Sequence, residues 1–175
     1  MPWLASPFLG FFSPIVAMRY YDGLSRGYNR LHGEEQAKKA QAIKANCRLN
    51  GLLLDIGAGT GLTTRLFQEK AECIALDPSK EMLKQFPGMK VVAMAERLPF
   101  KESSFDCIVS ITALHHADLK KAKAEIERVS KEKATIAISF FKRAKNFPEA
   151  KRLFKGSREI EAEKDLIFVK EWPFY

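Results

Sequence analysis

The sequence is poor in cysteine, and the three it has (Cys47, Cys73 and Cys107) leave one thiol over under any pairing. No CxxC or Cys/His ligand spacing connects them, so neither a disulfide framework nor a metal site is expected, and a reducing cytoplasm is the default compartment. Charge is missing altogether from residues 1–18. A membrane span needs about 20 continuous apolar residues, and Pro2, Pro7, Gly10 and Pro14 interrupt this stretch, so no span is expected. A secretory signal begins with basic residues, and none precede this run. Residues 1–18 therefore read as an apolar N-terminal extension that need not belong to the working protein, with a membrane-surface anchor as the alternative. Met18 would open a run, MRYYDGLSRGYNRLHGEEQ, that reads as a globular N-terminus. Internal repeats and low-complexity linkers are absent too, which leaves residues 19–175 as a single domain.

What is present suits a globular enzyme. The 175 residues are 46% hydrophobic, enough to bury a sizeable core. Lys and Arg number 29 against 21 Asp and Glu, a formal charge of +8 that permits an acidic or nucleic-acid partner without demanding one.

Hydrophobic periodicity alternates between helix and strand. Ala37, Ala40, Ile43 and Cys47 predict a helix over 34–48, stopped by Asn50-Gly51, and Leu52–Leu54 reads as a buried strand. A helix bearing Leu62, Leu66 and Phe67 follows, then a strand over 73–76. Ser79 is placed to cap a helix holding Met82 and Leu83, ended by Pro87-Gly88. Residues 91–94 and 105–110 read as further strands. Leu119, Ala122, Ile126 and Val129 form one helical face, residues 134–140 a strand, and Phe147, Ala150, Leu153 and Phe154 another helical stripe. Two strands, 158–163 and 166–172, close the chain around Lys164-Asp165. The expected fold is α/β: a doubly wound, mostly parallel seven-stranded sheet with one antiparallel strand.

The sharpest chemical signal is Leu52-Leu53-Leu54-Asp55-Ile56-Gly57-Ala58-Gly59-Thr60-Gly61. An apolar strand runs into three glycines at alternate positions and then a helix, at the strand end where doubly wound sheets bind ligands. No Gly-Lys-Ser/Thr follows, which excludes a phosphate-cradling P-loop. Position 62 is Leu where the dinucleotide fingerprint requires glycine. GxGxG preceded by an acid suits a cofactor lacking a pyrophosphate. Asp77, 22 residues after Asp55, ends the next strand, where a carboxylate can take both hydroxyls of a ribose.

With these features the sequence resembles the class I S-adenosylmethionine-dependent methyltransferases, particularly the branch called methyltransferase type 11. The resemblance runs from about residue 20 to residue 172. It includes Ala95-Glu96-Arg97-Leu98-Pro99-Phe100 ahead of Ser104-Phe105-Asp106, and Ala113-Leu114-His115-His116 after the fourth strand. It implies S-adenosyl-L-methionine as cofactor. Asp55, Gly57, Ala58, Gly59 and Gly61 would surround its methionine part. Asp77, followed by Pro78, would hold the ribose, and Ala95 and Glu96 would flank the adenine. Relatives place an Asp two before the Glu96 position; here it is Met94. Tyr20, Tyr21, Asp22 and Tyr28 resemble a segment lying over the cofactor as a lid, with Tyr21 and Tyr28 as its contacts. The implied reaction is in-line displacement at a sulfonium methyl, with His116, and after it His115, as candidate bases where the nucleophile carries a proton. The alternative for both histidines is packing and backbone hydrogen bonding.

The substrate is read from absences and charge. No Asn/Asp-Pro-Pro-Tyr run follows strand four, where Ser110-Ile111-Thr112-Ala113 stands instead, and no Pro-Cys or Thr-Cys pair offers a cytosine-C5 nucleophile. One short helix separates strand five from the final pair, so no cap encloses a small substrate. This favours a large substrate or an activating protein subunit that finishes the pocket. Residues 142–158 hold seven basic side chains, Lys142, Arg143, Lys145, Lys151, Arg152, Lys155 and Arg158, against Glu149 alone. They lie beside Phe140, Phe141 and Phe147. Cations for phosphates and a ring for base stacking make RNA the leading substrate expectation, the alternative for this segment being a solvated helix face over core phenylalanines. A protein side chain, a small lipid or quinone-like acceptor, and a non-catalytic partner subunit of this fold are the alternatives.

Overall fold

The computed structural model describes residues 28–171. The extension 1–18, the lid residues Tyr20, Tyr21 and Asp22, and the last strand position Trp172 lie outside the described residues, as does the side chain of Tyr28.

Helix α1 spans Tyr28–Asn46 and strand β1 Leu52–Ile56. Then come α2 Leu62–Phe67, β2 Glu72–Asp77, α3 Lys80–Leu83 and β3 Lys90–Val92. Strand β4, Phe105–Ile111, leads through a 3-10 turn, Leu114–His116, into α4, Leu119–Val129. Strand β5, Ser130–Phe141, α5, Phe147–Leu153, β6, Arg158–Ala162, and β7, Asp165–Lys170, complete the order.

The seven strands form one sheet in the order β3-β2-β1-β4-β5-β7-β6. Neighbours from β3 through β5 pair in parallel, and β7 runs antiparallel to both β5 and β6. The doubly wound sheet with one reversed strand is therefore as the sequence predicts. The chain winds outward from β1 through β2 and β3, then returns to place β4 on the other side of β1. That reversal opens a crevice at the carboxyl ends of β1 and β4.

Strand alternation divides the core into two layers. Leu53, Cys107, Val109, Ala137 and Ile167 face α1 and α2, against Ala40, Ile43 and Phe67. Leu54, Ile108, Ile138 and Phe168 face the other way, against Leu119, Ala122, Ile126 and Ala150 of α4 and α5. Each fully buried large side chain contributes roughly 1.5–3 kcal/mol by leaving water. Ser79 caps α3 as predicted, accepting from the Met82 amide at 3.1 Å.

Three boundaries differ instructively. Strand β1 continues through Asp55 and Ile56, because Asp55 is paired on both sides, with Ala75 and Val109. Strand β3 stops at Val92, and Met94 instead bridges back to Arg97. The closing hairpin turns at Glu163-Lys164, with Ala162 opposite Asp165 and Glu163 at φ 45°. Among the described residues no helix is long and apolar enough to cross a membrane.

Candidate active site

The three loop glycines serve different ends. A Cβ on Gly57 would lie 2.2 Å from the Ala113 Cβ, and one on Gly61 2.4 Å from Cδ2 of Phe86, so both positions are closed by protein. Gly59, at φ 55°, meets only the mobile tip of Met82, at 3.2 Å, and its bare edge lines a cavity. The loop is fixed by backbone bonds. Gly57 and Ala58 both donate to the Leu76 carbonyl, at 2.7 and 3.0 Å. Asp77 binds the loop from the next strand: its Oδ2 accepts from the Gly59 amide at 2.9 Å and its Oδ1 from the Ser79 amide at 2.8 Å.

The cavity measures about 120 Å³ and sits at the β1/β4 reversal. Of the residues singled out from the sequence, Gly57, Gly59, Asp77, Pro78, Ala95, Glu96 and His116 line it. Glu96 is held by accepting from the Asp118 amide at 3.0 Å. Met94 lines it too, in the place where an acid was expected. Sequence reasoning missed Met82, Ile111, Thr112, Ala113, Leu114 and Ala117, which also contribute walls. The α3 stripe was the signal available for Met82, whereas the β4 side could only be read once the register was known.

Asp55, Ala58, Gly61 and His115 are not among the residues that line this cavity. Asp55 is 1% exposed. Alternation in β1 turns it toward α2, where its Oδ2 accepts from Thr64 Oγ1 at 2.7 Å and Thr63 Oγ1 at 3.1 Å. Burial raises its carboxyl to about 6, against the lowering effect of the two threonine hydroxyls, and nearby Asp77 adds to the rise. Asp55 thus ties the glycine loop to α2. Ala58 packs with Ala75, Leu83 and Phe86.

The two histidine rings lie against each other at a tilt of 46°, centroids 3.9 Å apart, with His116 on the cavity side. Burial lowers the His116 pKa, and burial followed by the charges of His116 and Lys39 pushes His115 down to about 3. Both rings are accordingly held toward the neutral form. The His115 Nδ1 is buried without a hydrogen-bond partner, and its carbonyl accepts from Asn146 Nδ2 at 3.2 Å.

The basic segment is only partly as expected. Lys142 pairs with Glu161 at 2.7 Å and Arg158 with Glu171 at 2.8 Å, while Arg143, Lys145, Lys151, Arg152 and Lys155 are exposed. Of the neighbouring rings, Phe140 is 1% exposed, whereas Phe141 and Phe147 are half-buried against the core and Phe154, also half-buried, stacks on Phe168 at 5.5 Å, so none of them is a fully exposed platform. Among the described residues there is no group of side chains that could hold a metal. Burial pushes the Cys47 and Cys73 thiols up to about 11 and about 12, which makes them poor nucleophiles.

A family model described as a methyltransferase domain matches residues 54–138, from β1 into β5. An uncharacterised protein of Methanocaldococcus jannaschii is 32% identical over 170 residues, covering 90% of this chain and 82% of that protein. A second protein of that organism is 36% identical over 120 residues, and the uncharacterised methyltransferase YcgJ of Bacillus subtilis 41% over 100. Those matches take in 65% and 50% of this chain, which spans less than half of the two relatives, 47% and 40% of their lengths. Two solved structures share the fold. One is the Haloferax volcanii complex between the Trm112 methyltransferase activator and a methyltransferase, with TM-score 0.69 and 19% identity over 81% of this chain and 77% of that one. The other is Bacillus subtilis YcgJ, with TM-score 0.61 and 24% identity over 74% of this chain and 71% of that one. The glycine-loop crevice, the strand order and these matches together make the chain a member of the class I S-adenosylmethionine-dependent methyltransferases.

Proposed function

We propose that the protein transfers a methyl group from S-adenosyl-L-methionine to a large acceptor, with RNA as the leading class. The observation that carries the cofactor reading is the bare Gly59 edge in the cavity, beside the Asp77 carboxylate that ends β2. A side chain at Gly59 would occupy ligand space, and a carboxylate has about four acceptor positions, so Asp77 can take ribose hydroxyls alongside its backbone amides. Ala95, Glu96, Pro78 and Met94 form the wall suited to the adenine. The cofactor, when bound, supplies an activated methyl on a positively charged sulfur.

The chain's own residues then align and desolvate. Gly57 and Gly59 present main chain to the ligand, Ile111 and Leu114 exclude water, and His116 stands at the wall that follows β4. Kept toward the neutral form by burial, His116 is the candidate to accept a proton from an N–H or O–H nucleophile. Tyr21 and Tyr28 are proposed as lid contacts over the ligand.

Support for RNA is now the exposed cations Arg143, Lys145, Lys151, Arg152 and Lys155 after β5, together with the net charge of +8. An activating subunit is the second reading. It is favoured by the activator bound to the Haloferax relative and by the edge at β3, where Val92 on the strand and Met89 and Met94 beside it are the exposed large apolar side chains among the described residues. The experiment is transfer of a tritiated methyl from S-adenosylmethionine to fractionated RNA, protein and lipid, with and without a Trm112-type protein. Label in RNA, lost when Arg143, Lys145 and Lys151 are changed to Glu, supports the reading; label confined to protein or lipid overturns the substrate class.

A further inference from the structure

Thr112 follows directly on β4 and lines the cavity. Its φ is 52°, in the left-handed region where a β-branched residue is a genuine outlier. Such a conformation persists only where the surroundings over-determine it.

Those surroundings are polar and buried. The Thr112 amide donates to the Ser139 carbonyl at 3.1 Å, its hydroxyl donates to Asp165 Oδ2 at 2.8 Å, and Oγ1 accepts from Lys39 Nζ at 2.9 Å. Lys39 also donates to Glu35 Oε1 at 2.8 Å and forms an ion pair with Asp165 Oδ1 at 2.9 Å, although that oxygen accepts no hydrogen bond. The Ser139 hydroxyl donates to the same Asp165 carboxylate at 2.5 Å. Lys39 is 2% exposed, and Ser139 and Asp165 are 0% exposed. Lys164 pairs with Glu35 at 2.9 Å, which balances the cluster's charge. The cluster joins α1, β4, β5 and β7 around a single strained residue.

A buried ion pair is weak evidence for stability, since apolar replacements of similar volume often serve as well. Its position is more telling. Ala113, next along the chain, fills the space against Gly57 that a glycine Cβ would contest. Relaxing Thr112 to a right-handed or extended φ would swing Ala113 off that seat and alter the cavity wall.

We propose that Lys39, Ser139 and Asp165 are positioning residues: they clamp Thr112 in the left-handed conformation so that the β4 loop seats on Gly57 and shapes the cofactor cavity. This rests on the reading of the cavity as the S-adenosylmethionine site. None of the three lines the cavity.

A substitution series at Thr112 tests it with two readouts: calorimetric affinity for S-adenosylmethionine and hydrogen exchange of the residue 112 amide in ligand-free protein. Thr112→Val loses the clamp but keeps the β-branch; affinity falls about tenfold and the amide exchanges faster. Thr112→Ser keeps the hydroxyl, so it binds more tightly than the valine variant and its residue 112 amide exchanges more slowly. Thr112→Gly loses the clamp but takes a positive φ without steric cost, so it too binds more tightly than the valine variant. A role limited to packing predicts the opposite order, with glycine worst. Parent-like binding by the valine variant, or glycine binding as weakly as valine, overturns the proposal. Failure of the parent protein to bind S-adenosylmethionine would instead sink the cofactor reading. The clamp would then be decided by exchange alone, and an unchanged residue 112 amide in the valine variant would refute it.

Discussion

Asp55→Asn offers a quantitative test of where β1 points its acid. Burial lifts the Asp55 carboxyl from 3.8 to about 6, and the Thr64 and Thr63 hydroxyls that accompany it offset only part of the cost. A folded-state pKa above the unfolded one means that the native protein binds the proton more tightly. This group therefore favours folding most below pH 3.8, and that contribution is lost as pH rises to about 6. A gap of about 2 units at 1.36 kcal/mol each corresponds to about 3 kcal/mol. Asparagine keeps an oxygen for the threonines and cannot ionise. Urea unfolding of both proteins should be measured from about pH 4 to about pH 7.5. The stability of wild type relative to Asp55→Asn should fall by about 2.4 kcal/mol across that range, because at about pH 4 the unfolded carboxyl is already more than half ionised, the other carboxylates cancelling in the difference. Parallel curves would refute the argument, because they would mean that Asp55 titrates in the native state as it does in the unfolded chain.

Other outcomes follow from named contacts. Gly61→Ala drives a methyl to 2.4 Å from the Phe86 ring, whereas Gly156→Ala at φ 89° meets nothing within 4 Å. Thermal melts should show a loss of about 2–4 kcal/mol for the first and about 1–2 for the second, and equal losses would contradict the packing. With His116 as the base, its lowered pKa predicts that the initial methyl-transfer rate falls to half only below pH 6.5, the ordinary imidazole value. A half-maximal rate at pH 6.5 or above would exclude His116 from the role. Phe67 is 0% exposed between α2 and the sheet, so Phe67→Ala should cost about 3–5 kcal/mol in urea unfolding.

Much of the scaffold was legible in the pattern of residues. Leu52–Leu54 running into three alternate glycines located β1 and its loop, and Leu119, Ala122, Ile126 and Val129 located α4 with its buried face. Asp77 and Ser79 were readable because strand ends and helix starts place polar groups by local rules, whereas Glu96 was reached only through the family resemblance. The direction of the Asp55 side chain was not legible because it depends on how far β1 continues: one further paired residue puts it on the α2 side, beside Thr63 and Thr64. Whether Phe140, Phe141 and Phe147 are core or surface was left open by the sequence for a related reason, since ring exposure depends on which helix lies above. The Lys39–Asp165 pair left no trace at all. A lysine in a polar helix reads as solvated, and only the return of β7 beside β5 brings the acid to it.

The account turns on Gly59 being the place where main chain meets ligand. Asparagine tolerates the left-handed region far better than most residues, so Gly59→Asn should fold with nearly the parent melting temperature while filling ligand space. Titration calorimetry with S-adenosylmethionine is predicted to give saturable one-site binding for the parent protein and none for this variant. Equal affinity in the two, or no heat of binding to the parent, would contradict it.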